Sequence, residues 1–334
     1  MLRYENEQKV RRKDRVKKYL QKYFNEFVFD ELSESFIHKL EMKGLMESVP
    51  VPLRKQELEG FAKNKDIKIA TIAENMAIVI GIDPEFKYVH HYMAFLIKLY
   101  NEKLLNYLVY SAEKAIKNND LELACIFFRT MQCFNEESLQ GLYGYAKLCR
   151  DIYLKGGDEE FVGNFKAESI ECFEILTVVH PEFLPAYYFL GYAYLNLGLY
   201  AKADLTWKHY VNRVEDTNEK KEIEERLRQL EIPVKIEIGC NDIMSGRYEE
   251  GIFKLEPYTE SEFNTWWPLF YYLGISYSRL GEMDKAITSF KRVLLINPGH
   301  IDTMEELAEI YSIKDDVENY QKYTKKIELI KSQI

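Results

Sequence analysis

The sequence predicts an all-α protein: a right-handed α-solenoid of helix-turn-helix repeats over residues 101–334, behind an N-terminal helical segment over residues 1–100. Three observations predict it. The 334 residues include only 16 glycines and 9 prolines, too few for the many turns of a β-sandwich or barrel. Hydrophobic residues make up 47% of the chain, enough for one extended array or two compact domains. A pattern of large and small residues also recurs with a period of 34, which is how stacked supersecondary units announce themselves.

In the N-terminal segment, Val16, Tyr19, Leu20, Tyr23, Phe24 and Phe27 fall on one face of a helix. Pro50-Val51-Pro52 reads as a linker or sharp stop. Thr71-x-x-Glu74 has capping-box spacing, in which the two side chains satisfy each other's orphan backbone amides, and Gly81 reads as the end of that helix. Asp83-Pro84 opens the next, with Tyr88, Tyr92, Phe95 and Leu99 as its buried stripe. These last helices are expected to cover the otherwise bare end of the array.

The repeat is clearest at residues 267–300, where Phe270-x2-Leu273-Gly274-x2-Tyr277 is followed by Gly281, Ala286, Phe290 and Pro298. A second copy at 184–217 has Tyr187-x2-Leu190-Gly191-x2-Tyr194, then Gly198, Ala203 and Trp207. The small residues let two helices approach closely, with Gly274 expected to face Ala286, and the large ones fill the space around them. This pattern resembles the tetratricopeptide repeat family, with Phe270 and Tyr187 standing where that family's signature has tryptophan. In the same frame, residues 105–138 keep Ala112, Ala115, Asn119, Ala124, Phe128 and Met131, and residues 139–183 keep Leu142, Tyr145, Ala146, Phe173, Leu176 and Pro181. Residues 232–265 keep Gly239, Gly246, Gly251 and Leu255, and residues 301–334 keep Leu307, Ala308 and Tyr311 as a divergent terminal copy.

Two stretches interrupt the period. The copy at 139–183 is too long, and its surplus reads as a loop near Lys155–Asn164, where Gly156, Gly157 and Gly163 cluster. Asn218–Glu231 reads as an added charged helix with Ile223, Leu227 and Leu230 on its apolar stripe.

The residues give no seat for catalysis. No phosphate-cradling GxxxxGK[ST], dinucleotide GxGxxG, nucleophile-elbow GxSxG or zinc-binding HExxH occurs, so the expected function is recognition without turnover and without a cofactor. His90 and His91 are adjacent and point about 100° apart on a helix, which does not make one metal face. Five cysteines without CxxC spacing fit neither a disulfide framework nor a zinc site; they point to reduced thiols and a cytoplasmic protein. No apolar run approaches the roughly 20 residues that span a bilayer.

The resemblance implies a ligand site in a concave groove lined by the first helix of each repeat. Matched position by position, the groove residues are Tyr143, Lys147 and Arg150; Tyr188, Tyr192 and Asn196; and Tyr271 and Arg279. Tyrosine offers broad contact area at low entropy cost, asparagine can bond an extended backbone, and arginine can grip a carboxylate bidentately. Each of these tyrosines has two open roles, contact with a ligand or packing between helices. One subclass of the family clamps the carboxylate of chaperone tails with Lys and Asn, but here those places hold Val109 and Glu113, Tyr143 and Lys147, Tyr188 and Tyr192, and Glu305 and Glu309. A clamp of that kind is not expected, although a chaperone-system accessory working by another surface remains an alternative.

Charge is unevenly spread, with a net +6 in the first 24 residues against −15 in the rest. Basic residues 9–22 could sit on nucleic acid, an anionic membrane surface or an acidic partner, or fold back on the acidic repeats. Ile72–Ile80 is too apolar to read a DNA groove. The leading expectation is thus a scaffold or adaptor for a protein or peptide segment. The alternative is a regulatory protein whose N-terminal helices engage another macromolecule when the groove fills.

Overall fold

The computed structural model describes residues 14–55, 58, 68–215 and 217–332. They form two compact units, Met1–Leu190 and Gly191–Ile334. Lys9, Arg11, Arg12 and Lys13, part of the basic stretch, lie outside the described residues.

The first unit opens with α1 (Lys17–Phe24), beside which Val16 and within which Leu20 are buried. The helix stops earlier than the apolar spacing suggested, because Phe27 leaves it to begin strand β1 (Phe27–Glu31). After the short helix α2 (Glu34–Lys39) the chain returns as β2 (Pro50–Arg54), antiparallel to β1. Pro50-Val51-Pro52 is therefore a strand and not a linker. Two prolines are tolerated because Phe29 faces Pro52 and Glu31 faces Pro50, alternate positions whose backbone groups point away from the partner strand. The freed edge is satisfied by side chains: Asn75 Nδ2 donates to the Pro52 carbonyl at 3.1 Å and the Tyr92 hydroxyl to the Pro50 carbonyl at 2.6 Å.

Those donors sit on α3 (Ile69–Ile82) and α4 (Val89–Tyr100). Helix α3 is buried nearly all round, and its N-cap is Lys68, with Thr71 already inside the helix, so the Thr71–Glu74 spacing does not act as a capping box. Gly81 lies inside α3 and does not end it; an added Cβ would stand 2.6 Å from Thr130 Oγ1 and collide with the Ile126 carbonyl, so this glycine permits close approach to α6 (Leu121–Phe134). Asp83-Pro84 precedes α4 without opening it, and the buried stripe of α4 is Val89, Tyr92, Phe95 and Leu96.

Successive helices then pack as neighbours: α5 (Leu104–Lys117) on α6, α6 on α7 (Leu139–Leu154), and α7 on α8 (Glu159–Val179). The surplus of this last repeat is taken up by helix length, since α8 runs 21 residues and includes Gly163. Helix α9 (Leu184–Asn196) contains the boundary between the units. In the second unit follow α10 (Tyr200–Val211), α11 (Asn218–Met244), α12 (Tyr248–Leu255), α13 (Trp267–Arg279), α14 (Met283–Ile296), α15 (Ile301–Ile313) and α16 (Val317–Lys331), each packed on the next. Asn218–Glu231 is not a separate helix: it runs without a break through Pro233 into the first helix of the next repeat.

The repeats close their inner turns alike. Asn119, Gly198, Gly246, Gly281 and Asp315 all take positive φ, between 56° and 81°. The residue after each donates its N–H to the carbonyl five places back, as in Asp120 to Ala115, Leu199 to Tyr194, Arg247 to Asp242, Glu282 to Tyr277 and Asp316 to Tyr311, all at 2.8–3.0 Å. This is the Schellman stop that a left-handed residue makes available. The fold is an all-α solenoid of helix pairs, with the β1–β2 ribbon as its departure from purely helical structure among the described residues.

Candidate peptide-binding face and a clasped arginine

In the first unit, Tyr143, Lys147 and Arg150 lie along α7, spaced so that one helical face carries all three. Each is half-buried. They meet at a residue the sequence reading passes over, Phe189 of α9: Lys147 Nζ lies 6.0 Å and the Arg150 guanidinium 5.3 Å from the centre of its ring. Lys147 also lies 5.6 Å from the Tyr143 ring. Phe189 stacks on buried Phe173 at 5.5 Å, and Tyr143 meets Phe183 edge-on at 4.9 Å. Among the described residues no carboxylate pairs with Lys147, while Arg150 reaches Asp151 at 3.3 Å. The result is an aromatic floor carrying two cations, held against rigid helices. Tyr188 contributes an edge-on contact to Phe189 at 5.3 Å.

The groove residues of the second unit are engaged differently. Tyr192 sets its ring edge-on to Trp207 at 4.8 Å and donates its hydroxyl to Glu222 at 2.5 Å. Asn196 is exposed at the end of α9. Tyr271 packs among Trp267, Phe290 and His300, and burial, helped by Glu306 and Asp302, pushes its hydroxyl up to about 12. Arg279 lies 3.9 Å from Glu306 on the following first helix, close enough for attraction but not for a hydrogen bond.

A cavity of about 420 Å3 lies in the first unit beside Arg129. The Arg129 guanidinium is buried and engaged by all three of its nitrogens: Nε donates to the Gly81 carbonyl at 2.6 Å, and its two terminal nitrogens grip Asp14 at 3.1 and 2.5 Å. The Tyr145 hydroxyl donates to Glu168 at 3.0 Å, and Arg15 reaches Glu168 at 3.1 Å and Glu171 at 2.5 Å. Burial alone would raise the Asp14 pKa, yet the hydrogen bond and charge of Arg129 overcome it and hold this carboxylate below its ordinary value. Asp14 also accepts from the backbone amides of Val16 and Lys17, so it starts α1 and pins it to α6 at once. The cavity floor is a clasp. Cys133, on the wall, has its thiol pushed up to about 11 by burial and is a poor nucleophile at neutral pH.

The described part of the basic stretch is likewise engaged with the chain's own acids. Lys17 pairs with Asp83 at 2.8 Å, Lys18 with Glu160 at 2.5 Å, and Lys22 with Glu122. Among the described residues no group of three or more metal-binding side chains could hold an ion, and no helix is long and apolar enough to cross a membrane.

Two segments of the helix array match models of a known repeat. The tetratricopeptide repeat model matches residues 267–300, and a second model of the same repeat matches residues 184–206. Residues 184–206 and 267–300 are tetratricopeptide repeats. No curated protein sequence matches the chain significantly. Solved structures of TPR proteins resemble it in part. The TPR domain of P58(IPK) is 13% identical, covering 90% of this chain and 87% of that one, with a TM-score of 0.43. YrrB, a TPR protein with an unusual peptide-binding site, is 15% identical over 61% and 91% of the two chains, with a TM-score of 0.30. TTC0263, a thermophilic TPR protein of Thermus thermophilus, is 16% identical over 71% and 98%, also with a TM-score of 0.30. Tetratricopeptide repeats of this kind support a protein-interaction scaffold.

Proposed function

We propose that the protein is a non-catalytic scaffold or adaptor that holds a protein or peptide segment on the first-helix faces of its repeats. Tyr143, Lys147, Arg150 and Phe189 form the principal anchor. The observation that carries this is the pair of cations over one half-buried ring, with Lys147 unpaired by any carboxylate among the described residues. Such a face suits a segment that presents an acidic group beside an apolar or aromatic one: the carboxylate meets Lys147 and Arg150 while the apolar group covers Tyr143 and Phe189. Tyr188 extends this anchor within the first unit; in the second unit Tyr192, Asn196, Tyr271 and Arg279 offer first-helix positions of their own, with Tyr192 and Tyr271 contributing as much to packing as to binding. A cytoplasmic setting accords with five thiols in an uneven number.

A regulatory variant of this reading is favoured by one observation. Helix α1 is fastened to the rest of the first unit by ion pairs and by the Asp14–Arg129 clasp. In that form, filling of the face alters how firmly α1 is held, and its cations, once freed, become available to another macromolecule.

The test is isolation of partners from the native cell by affinity capture and mass spectrometry, followed by titration of the captured segment against single variants. Lys147→Ala and Phe189→Ala should each weaken binding by about 1 to 2 kcal/mol. Unchanged affinity for both would place the partner elsewhere.

A further inference from the structure

We infer that a recess in the second unit binds an alkylated ammonium group, either free or carried on a lysine side chain. Its walls are Tyr200, Pro233, Glu262, Phe263, Thr265 and Trp266, around a volume of about 280 Å3. This lies just below the range of drug-sized pockets, which begins near roughly 300 Å3, and suits a single head group.

Three aromatic residues, Tyr200, Phe263 and Trp266, line the recess with their rings on differing planes. The Trp266 ring lies 5.5 Å from Tyr200 at an interplanar angle of 75°, and 6.0 Å from Phe263 at 44°. A cation is attracted to ring faces, and rings on differing planes let one cation meet more than one face. The cage is preformed. Phe263 and Trp266 pack against the core of the unit, the Trp266 backbone N–H donates to the Phe263 carbonyl at 2.9 Å, and the Phe263 N–H donates to Ser261 Oγ at 3.2 Å. Tyr200 is placed by the first turn of α10, where the Ala201 N–H donates to Glu237 at 2.7 Å.

Charge completes the site. Glu262 is on the wall and Glu237, bonded to the Ala201 amide, is near enough to Tyr200 to act on it by charge, while none of the lining residues is a cation. A primary ammonium or guanidinium leaving water needs an acceptor for every N–H, and the three rings and Pro233 that make up most of this lining supply fewer than water does. A quaternary ammonium has no N–H to satisfy, so apolar faces with a carboxylate at the rim are complementary to it. The recess shares no residue with the Tyr143–Phe189 face and stands independently of that reading.

The experiment titrates the full chain with tetramethylammonium, choline and a peptide carrying trimethyllysine, read by calorimetry and ligand-observed NMR. The controls are 3,3-dimethylbutanol, the uncharged isostere of choline, and the same peptide with unmodified lysine. Saturable binding is expected, weakened about tenfold or more by Trp266→Ala and severalfold by Glu262→Gln, with both controls at least about tenfold weaker. Tighter binding of the trimethyllysine peptide than of free tetramethylammonium identifies a protein-borne group; equal binding identifies a small molecule, and either supports the site. Equal binding of the uncharged isostere, full binding by folded Trp266→Ala, or no saturation by any of the three cations overturns it. If Trp266→Ala does not fold, Glu262→Gln, at an exposed position, carries the test of the charge requirement.

Discussion

Gly274 of α13 lies against the ring of Phe290 on α14, and a Cβ added to the glycine would stand 2.6 Å from that ring. The same relationship, sixteen residues on in each case, joins Gly191 to Trp207 and Gly239 to Leu255. The period in the sequence is thus a repeated steric lock: one helix gives up a side chain so that a large one from its partner can lie on the backbone. The nearest atoms to Gly274 are those of the Phe290 ring, and Ala286, which the sequence spacing pairs with Gly274, is buried in the same core.

Glycine substitutions should therefore have opposite signs at two places. Gly274→Ala is expected to cost about 1 to 3 kcal/mol through overpacking against a fixed ring. Gly163→Ala, inside α8 with nothing within 4 Å of the new methyl, is expected to stabilise by about 0.5 to 1 kcal/mol. Urea unfolding of both variants checks the pair.

The Asp14–Arg129 clasp should give the first unit an acid-sensitive contribution. Because the Asp14 pKa is lowered in the folded chain, its contribution is present above the ordinary value of 3.8 and is lost as pH falls through the lower folded value. Asp14→Asn should flatten the stability profile in that acid window. At neutral pH it should cost about 1 to 3 kcal/mol, since buried Arg129 then loses its charged partner. Chemical unfolding from about pH 2 to 7 measures both effects.

Tyr92→Phe isolates one hydrogen bond. The hydroxyl bonds the Pro50 carbonyl at 2.6 Å and the ring is buried, so the variant keeps packing and leaves the carbonyl short of a donor. A loss of about 1 kcal/mol is expected, with faster amide exchange in Phe27–Glu31 than in α3.

The parts of this fold legible in the sequence were those where local chemistry and tertiary contact agree. Leu273-Gly274-x2-Tyr277 specifies a buried helix face, and the left-handed turn at Gly281 follows from glycine itself. The β1–β2 ribbon was hidden because Pro50 and Pro52 argue against a strand, and the donors that satisfy their carbonyls, Asn75 and Tyr92, are distant in sequence. Gly81 misled for the same reason: whether a glycine ends a helix or admits a neighbour depends on Ile126 and Thr130, which local sequence does not place. At the candidate site, the periodicity found Tyr143, Lys147 and Arg150 on one face. Phe189 was missed because it neighbours Tyr188 and only the stacking of α7 and α9 turns its ring under the two cations.

The central claim, that the α7 face holds a partner segment, is tested most directly by the equilibrium affinity of that segment for a Lys147→Ala, Arg150→Ala, Phe189→Ala variant, with folding monitored by circular dichroism. Loss of affinity by about a hundredfold or more in a folded chain is the expected result. Wild-type affinity in the folded triple variant would contradict it.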